Sequence, residues 1–443
     1  MKNMQIPGRA ISRKKFLKVG GAGVAGAAML GTAGCAGGGE EEQGGDANSI
    51  GWQVIPPYSP QATDQSRVDY IESSISDWEE SSEFSINPQV SSSNITAANA
   101  RLLEQASQGR APDIAMVDSY LFPRFYDFVR PLGEYMGDVS QEDYFPFARE
   151  TMTNGGDVLG LQFTTDVRVM FYRTDLVEEP PSSWDELLEV GRGLRDREGL
   201  DPFLFPGGRD EATVTTSLLP YFWAQGGELV DDEGNPIFGE GENRESMLNS
   251  LNFIRQCVEA GITPQRVTEY GTEPDLNGDV SSGNTAMFLG ANFQVGLLQE
   301  IMGVEEFNSQ WAVAPIPSME GGDNHATTAG GQMWGVFTEN EDKQRAGVDF
   351  LKSAFVGNQG MAGWCNVGGY LPPRQPVFEV SDYEGNKYTD TFREHLEMYA
   401  RNRPAAESYQ DISTQLQIAV SNTISGERSP EDALEAAVNS VQS

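Results

Sequence analysis

The 443-residue chain carries 66 Asp and Glu against 30 Lys and Arg, a formal charge of −36, with only 2 His and 3 Cys. That sign of charge excludes nucleic acid as a partner, because binding phosphates needs cations. So few scattered Cys and His exclude a disulfide scaffold, a zinc finger and a His-rich metal site. Residues 1–34 hold Lys2, Arg9, Arg13, Lys14, Lys15 and Lys18 and no acid. Together with the Gly- and Ala-rich stretch Val19 to Gly34 they predict an export signal, since that apolar run is too short and weak for a spanning helix. Residues 35–49 then read as Cys35 followed by an acidic, Gly-rich, flexible tether (AGGGEEEQGGDANS).

From Ser49 onward short apolar runs alternate with amphipathic stretches, the signature of α/β layers. Gly51–Ile55 predicts a strand that stops at Pro56-Pro57. Val68, Ile71, Ile75 and Trp78 recur at helical spacing, which predicts a helix over 65–80 with one buried face. Phe84–Val90 is a second strand candidate, which Pro88 either weakens or puts at an edge, and 97–108 is a helix with Asn94 as its cap or as a turn residue. Asn94-Ile95-Thr96 is also a glycosylation sequon, a weak signal alone. Asp113–Val117, Leu159–Phe163 and Val167–Tyr172 read as strands. Ser183-Trp184-Asp185-Glu186 is a capping box opening a helix. Residues 247–260, 342–356, 389–400 and 409–424 read as amphipathic helices, and Ser429-Pro430 opens the last one, with Ser as cap and Pro at the first helical position.

Several segments, taken in order, resemble the extracellular solute-binding proteins of sugar ABC importers, the group that includes maltose-binding protein. Gly109-Arg110-Ala111-Pro112-Asp113-Ile114 resembles that family's G-x-x-P-D-(I/V), and Tyr172-Arg173-Thr174-Asp175-Leu176 its Y-(N/R)-K-D-L. Pro181-Ser182-Ser183-Trp184-Asp185-Glu186-Leu187 resembles P-x-T-W-(D/E)-E-(L/F), and Gly283-Asn284-Thr285-Ala286-Met287 resembles G-K-A-A-M. Trp311-Ala312-Val313-Ala314-Pro315-Ile316-Pro317 resembles (W/Y)-G-V-A-P-L-P, and Ser425-Gly426 through Ser429-Pro430-Glu431-Asp432-Ala433-Leu434 resembles the closing motif. Each motif is unspecific by itself; the ordered set across residues 105–440 is specific. Near the start, Thr32-Ala33-Gly34-Cys35 resembles a lipobox, which implies lipidation of Cys35. Ser12-Arg13-Lys14-Lys15-Phe16-Leu17-Lys18 resembles a twin-arginine export motif with Lys14 in place of the second arginine, so twin-arginine and general secretion both stay open.

The resemblance implies an α/β, two-lobed periplasmic-binding-protein-like (Venus flytrap) fold with discontinuous lobes joined by crossing hinge segments near Thr164, 318–328 and 365–370. Lobe 1 would comprise 50–164 plus 320–366, and lobe 2 165–319 plus 367–443. It further implies no enzymatic activity and no cofactor. The ligand would be a carbohydrate held in the interlobe cleft, and the partners ABC permease subunits with a cytoplasmic ATPase. The protein would be a monomer tethered by its lipid to the outer face of the cytoplasmic membrane. Asp166 falls where the family's post-hinge carboxylate binds sugar hydroxyls, with pairing to Arg168 as the alternative. Asn292 and Phe293 fall where an aromatic ring stacks on the sugar, with a core Phe as the alternative. Tyr58, Ser59, Asp118 and Tyr120 follow strand ends, the usual binding positions of open α/β sheets. Tyr221 lies in an aromatic run resembling a second-lobe sugar platform or, equally, a helix core. Gly330, Gly331 and Gln332 resemble a loop that approaches the ligand closely. Two rival readings stay open: the same fold binding a polyamine or a phosphate ester, and a secreted polysaccharide-acting hydrolase.

After residue 34 the only lysines are Lys343, Lys352 and Lys387. Acid excess with so little lysine resembles the composition of haloarchaeal proteins. Its physical cost is self-repulsion of the compact state, which concentrated salt screens. The mature chain is therefore expected to lose its cooperative melt in dilute buffer and recover it in multimolar salt; a melt indifferent to salt would contradict this.

Overall fold

The computed structural model describes residues 48–322 and 324–442, so the expected export signal, Cys35 and most of the tether lie outside the described residues. Two sheets organise the rest. The first has five strands in the order Ser85–Val90, Ser49–Val54, Ile114–Asp118, Gln332–Val336 and Gly160–Thr164. Its first three strands run parallel, and Gln332–Val336 is antiparallel to both of its neighbours. Pro88 lies on the edge strand, where its missing N–H costs no ladder bond.

The second sheet has four strands in the order Trp311–Ala314, Arg168–Arg173, Thr285–Ala291 and Asp201–Leu204, with only the last pair parallel. Aromatic rings pool behind each sheet. Trp334 stacks on Phe163 at 4.4 Å beside Trp52 and Phe355 in the first. Phe171 stacks on Phe288 at 4.6 Å beside Trp311 in the second.

The helices start where the sequence places caps. Asn94 Oδ1 accepts the Ala97 N–H at 2.8 Å and opens Ile95–Ser107. The Ser183 box is closed from both sides by Glu186 and opens Trp184–Leu194. Ser429 caps Pro430–Val441. The expected helix over 342–356 is α-helical from Glu341 to Leu351 and widens into a π-turn over Lys352–Val356. Cys257 and Cys365 are buried, with thiols pushed up by desolvation, as inert core residues should be.

Thr164 ends the first sheet and Arg168 begins the second, so Thr165–Val167 is one passage between them. Thr165 exchanges backbone bonds with Leu371 at 2.8 and 3.1 Å, and Val167 bridges Ala329. A second passage brings Thr327–Thr328 alongside Ala400–Arg401 as a short parallel ladder. Around the expected third passage near 365–370, Gly369 O accepts from Asn292 Nδ2 at 3.5 Å, just beyond the second-sheet strand Thr285–Ala291. Helix Asn358–Gly368 still packs on helix Gln65–Glu79, where Tyr70 donates to Gly360 O at 2.8 Å. Arg374, buried, still bonds Val356 O at 2.7 Å and Asp143 at 2.6 Å. Further along, Lys387 Nζ and the Tyr388 hydroxyl donate to Trp311 O of the second sheet at 3.3 and 2.9 Å.

Gly331 governs the crossing. Its φ is +126°, and a Cβ on it would stand 1.9 Å from Thr164 O. Gly331→Ala is expected to destabilise the protein by more than about 2 kcal/mol, from strain plus displacement of the Thr164 carbonyl; chemical denaturation of both proteins in high salt measures it.

Candidate functional site

Residues two apart on extended chain face the same side, and the first passage uses this. Asp166 Oδ1 accepts from Arg168 Nη1 at 2.5 Å, while Asp166 Oδ2 meets no protein donor among the described residues. Arg168 also reaches Glu273 Oε1 at 3.4 Å, and that oxygen accepts the Thr216 hydroxyl at 2.8 Å. One guanidinium is thus shared by two carboxylates.

A second such triad stands beside it. Arg403 Nη2 donates to Asp118 Oδ1 at 3.3 Å and its Nη1 to Glu211 Oε1 at 3.2 Å. The guanidinium lies over the Tyr120 ring, 3.9 Å from its centroid, so charge and quadrupole reinforce each other. Glu211, first residue of helix Glu211–Ser217, also accepts the Tyr409 and Ser413 hydroxyls at 2.5 Å each. Gly330 lies between the triads: a Cβ there would be 3.4 Å from Asp166 Oδ1 and 3.7 Å from Arg403 Nη2.

The other expected residues divide by what already occupies them. Tyr58 is buried and stacks on Tyr370 at 5.6 Å; its hydroxyl is pushed well up by burial and by Tyr370, with Arg67 and Asp166 also acting on it. Phe293 is half-buried and makes no ring contact among the described residues. Gln332 is buried with Oε1 unpartnered, and Gly331 O accepts the Ser119 N–H at 3.0 Å.

Three side chains are committed elsewhere. Ser59 Oγ closes its own turn, donating to Pro56 O at 2.9 Å and accepting from Gln61 N at 3.0 Å. Asn292 Oδ1 accepts the Val167 N–H at 3.0 Å while its own N–H donates to Val167 O at 3.1 Å, a two-point pin on the passage. Tyr221 is not brought to the cluster: its ring packs at 5.1 Å from Phe253 and 5.7 Å from Trp184 in the second-sheet core, so the helix-core alternative describes it.

Sequence reasoning missed Arg403, Glu211, Glu273, Tyr409 and Ser413. Arg403-Pro404 follows an amphipathic helix in an irregular stretch, and nothing local marks that arginine as buried. Two cavities flank Tyr120. One of about 210 Å³ is lined by Pro123, Glu150, Trp223, Arg401 and Arg403, and one of about 130 Å³ by Asn99, Leu103, Arg124, Tyr409 and Gln410. The arrangement supplies hydrogen-bond acceptors, aromatic faces and a close backbone approach.

The profile of the bacterial extracellular solute-binding protein family matches residues 75–390. A probable ABC transporter-binding protein of Deinococcus radiodurans is 26% identical over 255 residues, 53% of this chain and 57% of that one. The maltotriose-binding protein of Pyrococcus abyssi is 31% identical over 216 residues, 47% of this chain and 42% of its own. The chain spans about half the length of the curated relatives it matches. Among solved structures, the sugar-binding protein MalE of Xanthomonas citri superposes with a TM-score of 0.72 at 20% identity, covering 89% of this chain and 96% of that one. Maltose-bound MalE3 of T. maritima gives 0.69 at 20% identity, covering 89% and 99%. The fold is therefore that of the two-lobed periplasmic sugar-binding proteins.

The surroundings of Asp118 set an expectation for pH. Burial pushes its carboxyl from the ordinary 3.8 up to about 6; Arg403 opposes this, and Asp166 and Glu211 add to it. The folded state thus takes up the proton before the unfolded chain does. This group's contribution to stability is full below about pH 4 and is lost as pH rises through about 6. Carbon-detected NMR titration should find one Asp with a midpoint near 6 that disappears in Asp118→Asn; a midpoint near 4 would contradict this environment.

Proposed function

We propose that this chain, which belongs to the bacterial extracellular solute-binding protein family, captures a sugar or oligosaccharide between its lobes and delivers it unchanged to the membrane permease of an ABC importer. Asp166 carries the reading. It stands on the passage between the sheets, held by Arg168, with one carboxylate oxygen free to accept from a ligand hydroxyl. The maltotriose-binding relative and the maltose-bound structural neighbour agree with a carbohydrate ligand. The free face of Phe293 and the Tyr58–Tyr370 pair would meet the C–H-rich side of a sugar.

A lobe division at Thr164 and near residue 320 fits the sheet membership of the strands. The bonds of Arg374 favour ending the first lobe's return segment after that residue instead of at 366. Lipidation at Cys35, tethering to the outer membrane face, a monomeric state and adaptation to high salt belong to the same proposal, on the sequence signals alone. Among the described residues no helix is long and apolar enough to cross a membrane.

A polyamine is the second reading, because the two triads hold four carboxylates against two guanidiniums. A phosphate ester is disfavoured, since each guanidinium is already shared by two carboxylates. A thermal-shift screen in high salt against sugars, spermidine and sugar phosphates separates the three. Ligand at 100 times its dissociation constant adds about 2.7 kcal/mol. A sugar should raise the melting temperature, and Asp166→Ala should abolish that rise, measured against the variant's own unliganded melt. A response to spermidine alone, or full retention of the sugar response in the variant, would overturn the assignment.

A further inference from the structure

We infer that Ala400–Ser408 is a strap that holds the two lobes together in the absence of ligand, and that opening breaks its contacts to the first lobe while those to the second persist. The inference rests on the proposed closure of lobes over a ligand.

The strap begins at the second passage, where Ala400 and Arg401 pair with Thr327 and Thr328. From there its side chains alternate in allegiance. Towards the second lobe, Arg401 bonds Glu228 Oε1 at 2.6 Å and lies over the Trp223 ring at 5.1 Å. Ser408 Oγ donates to Gly234 O at 2.8 Å, and Arg403 Nη1 reaches Glu211. The chain then continues into helix Tyr409–Ser425, anchored on the same side by the Tyr409 and Ser413 bonds to Glu211.

Towards the first lobe the arms are weaker. Asn402 Nδ2 donates to Phe147 O at 2.6 Å and to Glu150 at 3.4 Å. Arg403 bonds Asp118, the last residue of a first-sheet strand, and covers Tyr120. Arg124 reaches Glu407 at 3.5 Å, but Glu407 is 91% exposed and the pair contributes little. The Asp118 arm is also the weaker half of its triad, because burial disfavours the charged carboxylate. Glu211, with three donors, is the better partner. Arg403 therefore leaves with Glu211 when the lobes part.

Asn402→Ala removes one first-lobe arm and Asp118→Asn strips the charge from another, and both leave every second-lobe arm in place. Small-angle X-ray scattering of the ligand-free protein in high salt reads the outcome, with circular dichroism melts confirming the fold. Each variant should shift the scattering curve to a larger radius of gyration than the parent, and the double variant should shift it further. If Asp118→Asn loses its cooperative melt, Asn402→Ala decides alone. Curves that superimpose on the parent's would overturn the strap. No sugar enters this experiment, so a silent sugar screen and a failed strap are separate results.

Discussion

Two guanidiniums, each divided between two carboxylates, are the constraint around which the cleft is built. A carboxylate taken out of water without a partner is costly, and breaking a buried pair costs about 3–5 kcal/mol. Asp118, Asp166, Glu211 and Glu273 come from four separate stretches of chain. Arg168 or Arg403 partners each of them. The arginines carry the task better than lysines would, because a planar fork serves two acceptors at once. The chain keeps only three lysines after residue 34, and none of them is in either triad.

Bringing the triads together demands a close backbone. Gly330 sits between them, and Gly331 adopts a φ that side chains rarely tolerate, against the Thr164 carbonyl. Gln162 completes the join, donating to both Thr164 O and Gly330 O at 3.1 and 2.9 Å. The crossing is therefore held by backbone and amide contacts. Asn292 serves as a hinge pin in the same way: its position at the end of Thr285–Ala291 is adjacent to Val167.

The parts of the fold that sequence reveals are those with local signatures. Capping at Asn94, Ser183 and Ser429, the 3.6-residue spacing of Val68 to Trp78 and the punctuation at Pro112-Asp113 each report on their neighbours, and the elements form there. Thr285–Ala291 and Gln332–Val336 carry no such mark. Both are buried along their whole length, so they show no alternation, and short apolar runs of this kind do not distinguish strand from helix. At the site, Asp166 and Asp118 are legible because they end or follow strands in motif context. Arg403 is not, because its partners lie 192 and 285 residues away in the chain. Tyr221 shows the opposite failure: an aromatic run suggests a platform, yet the same composition builds a core, and only packing separates the two.

The charge pattern also bears on what the cleft can hold. An anionic guest would have to displace a carboxylate from a guanidinium that already has two, and then leave that carboxylate buried and unpaired. A neutral polyol needs no such exchange. Under the proposed function its hydroxyls would donate to the free oxygen of Asp166 while the ion pairs stay intact. Self-repulsion spread over the acidic surface acts in the same direction, since it lowers the local concentration of anions before they reach the cleft. Each triad keeps one carboxylate in excess of its guanidinium, so the arrangement disfavours an anionic guest without a dedicated residue to reject it.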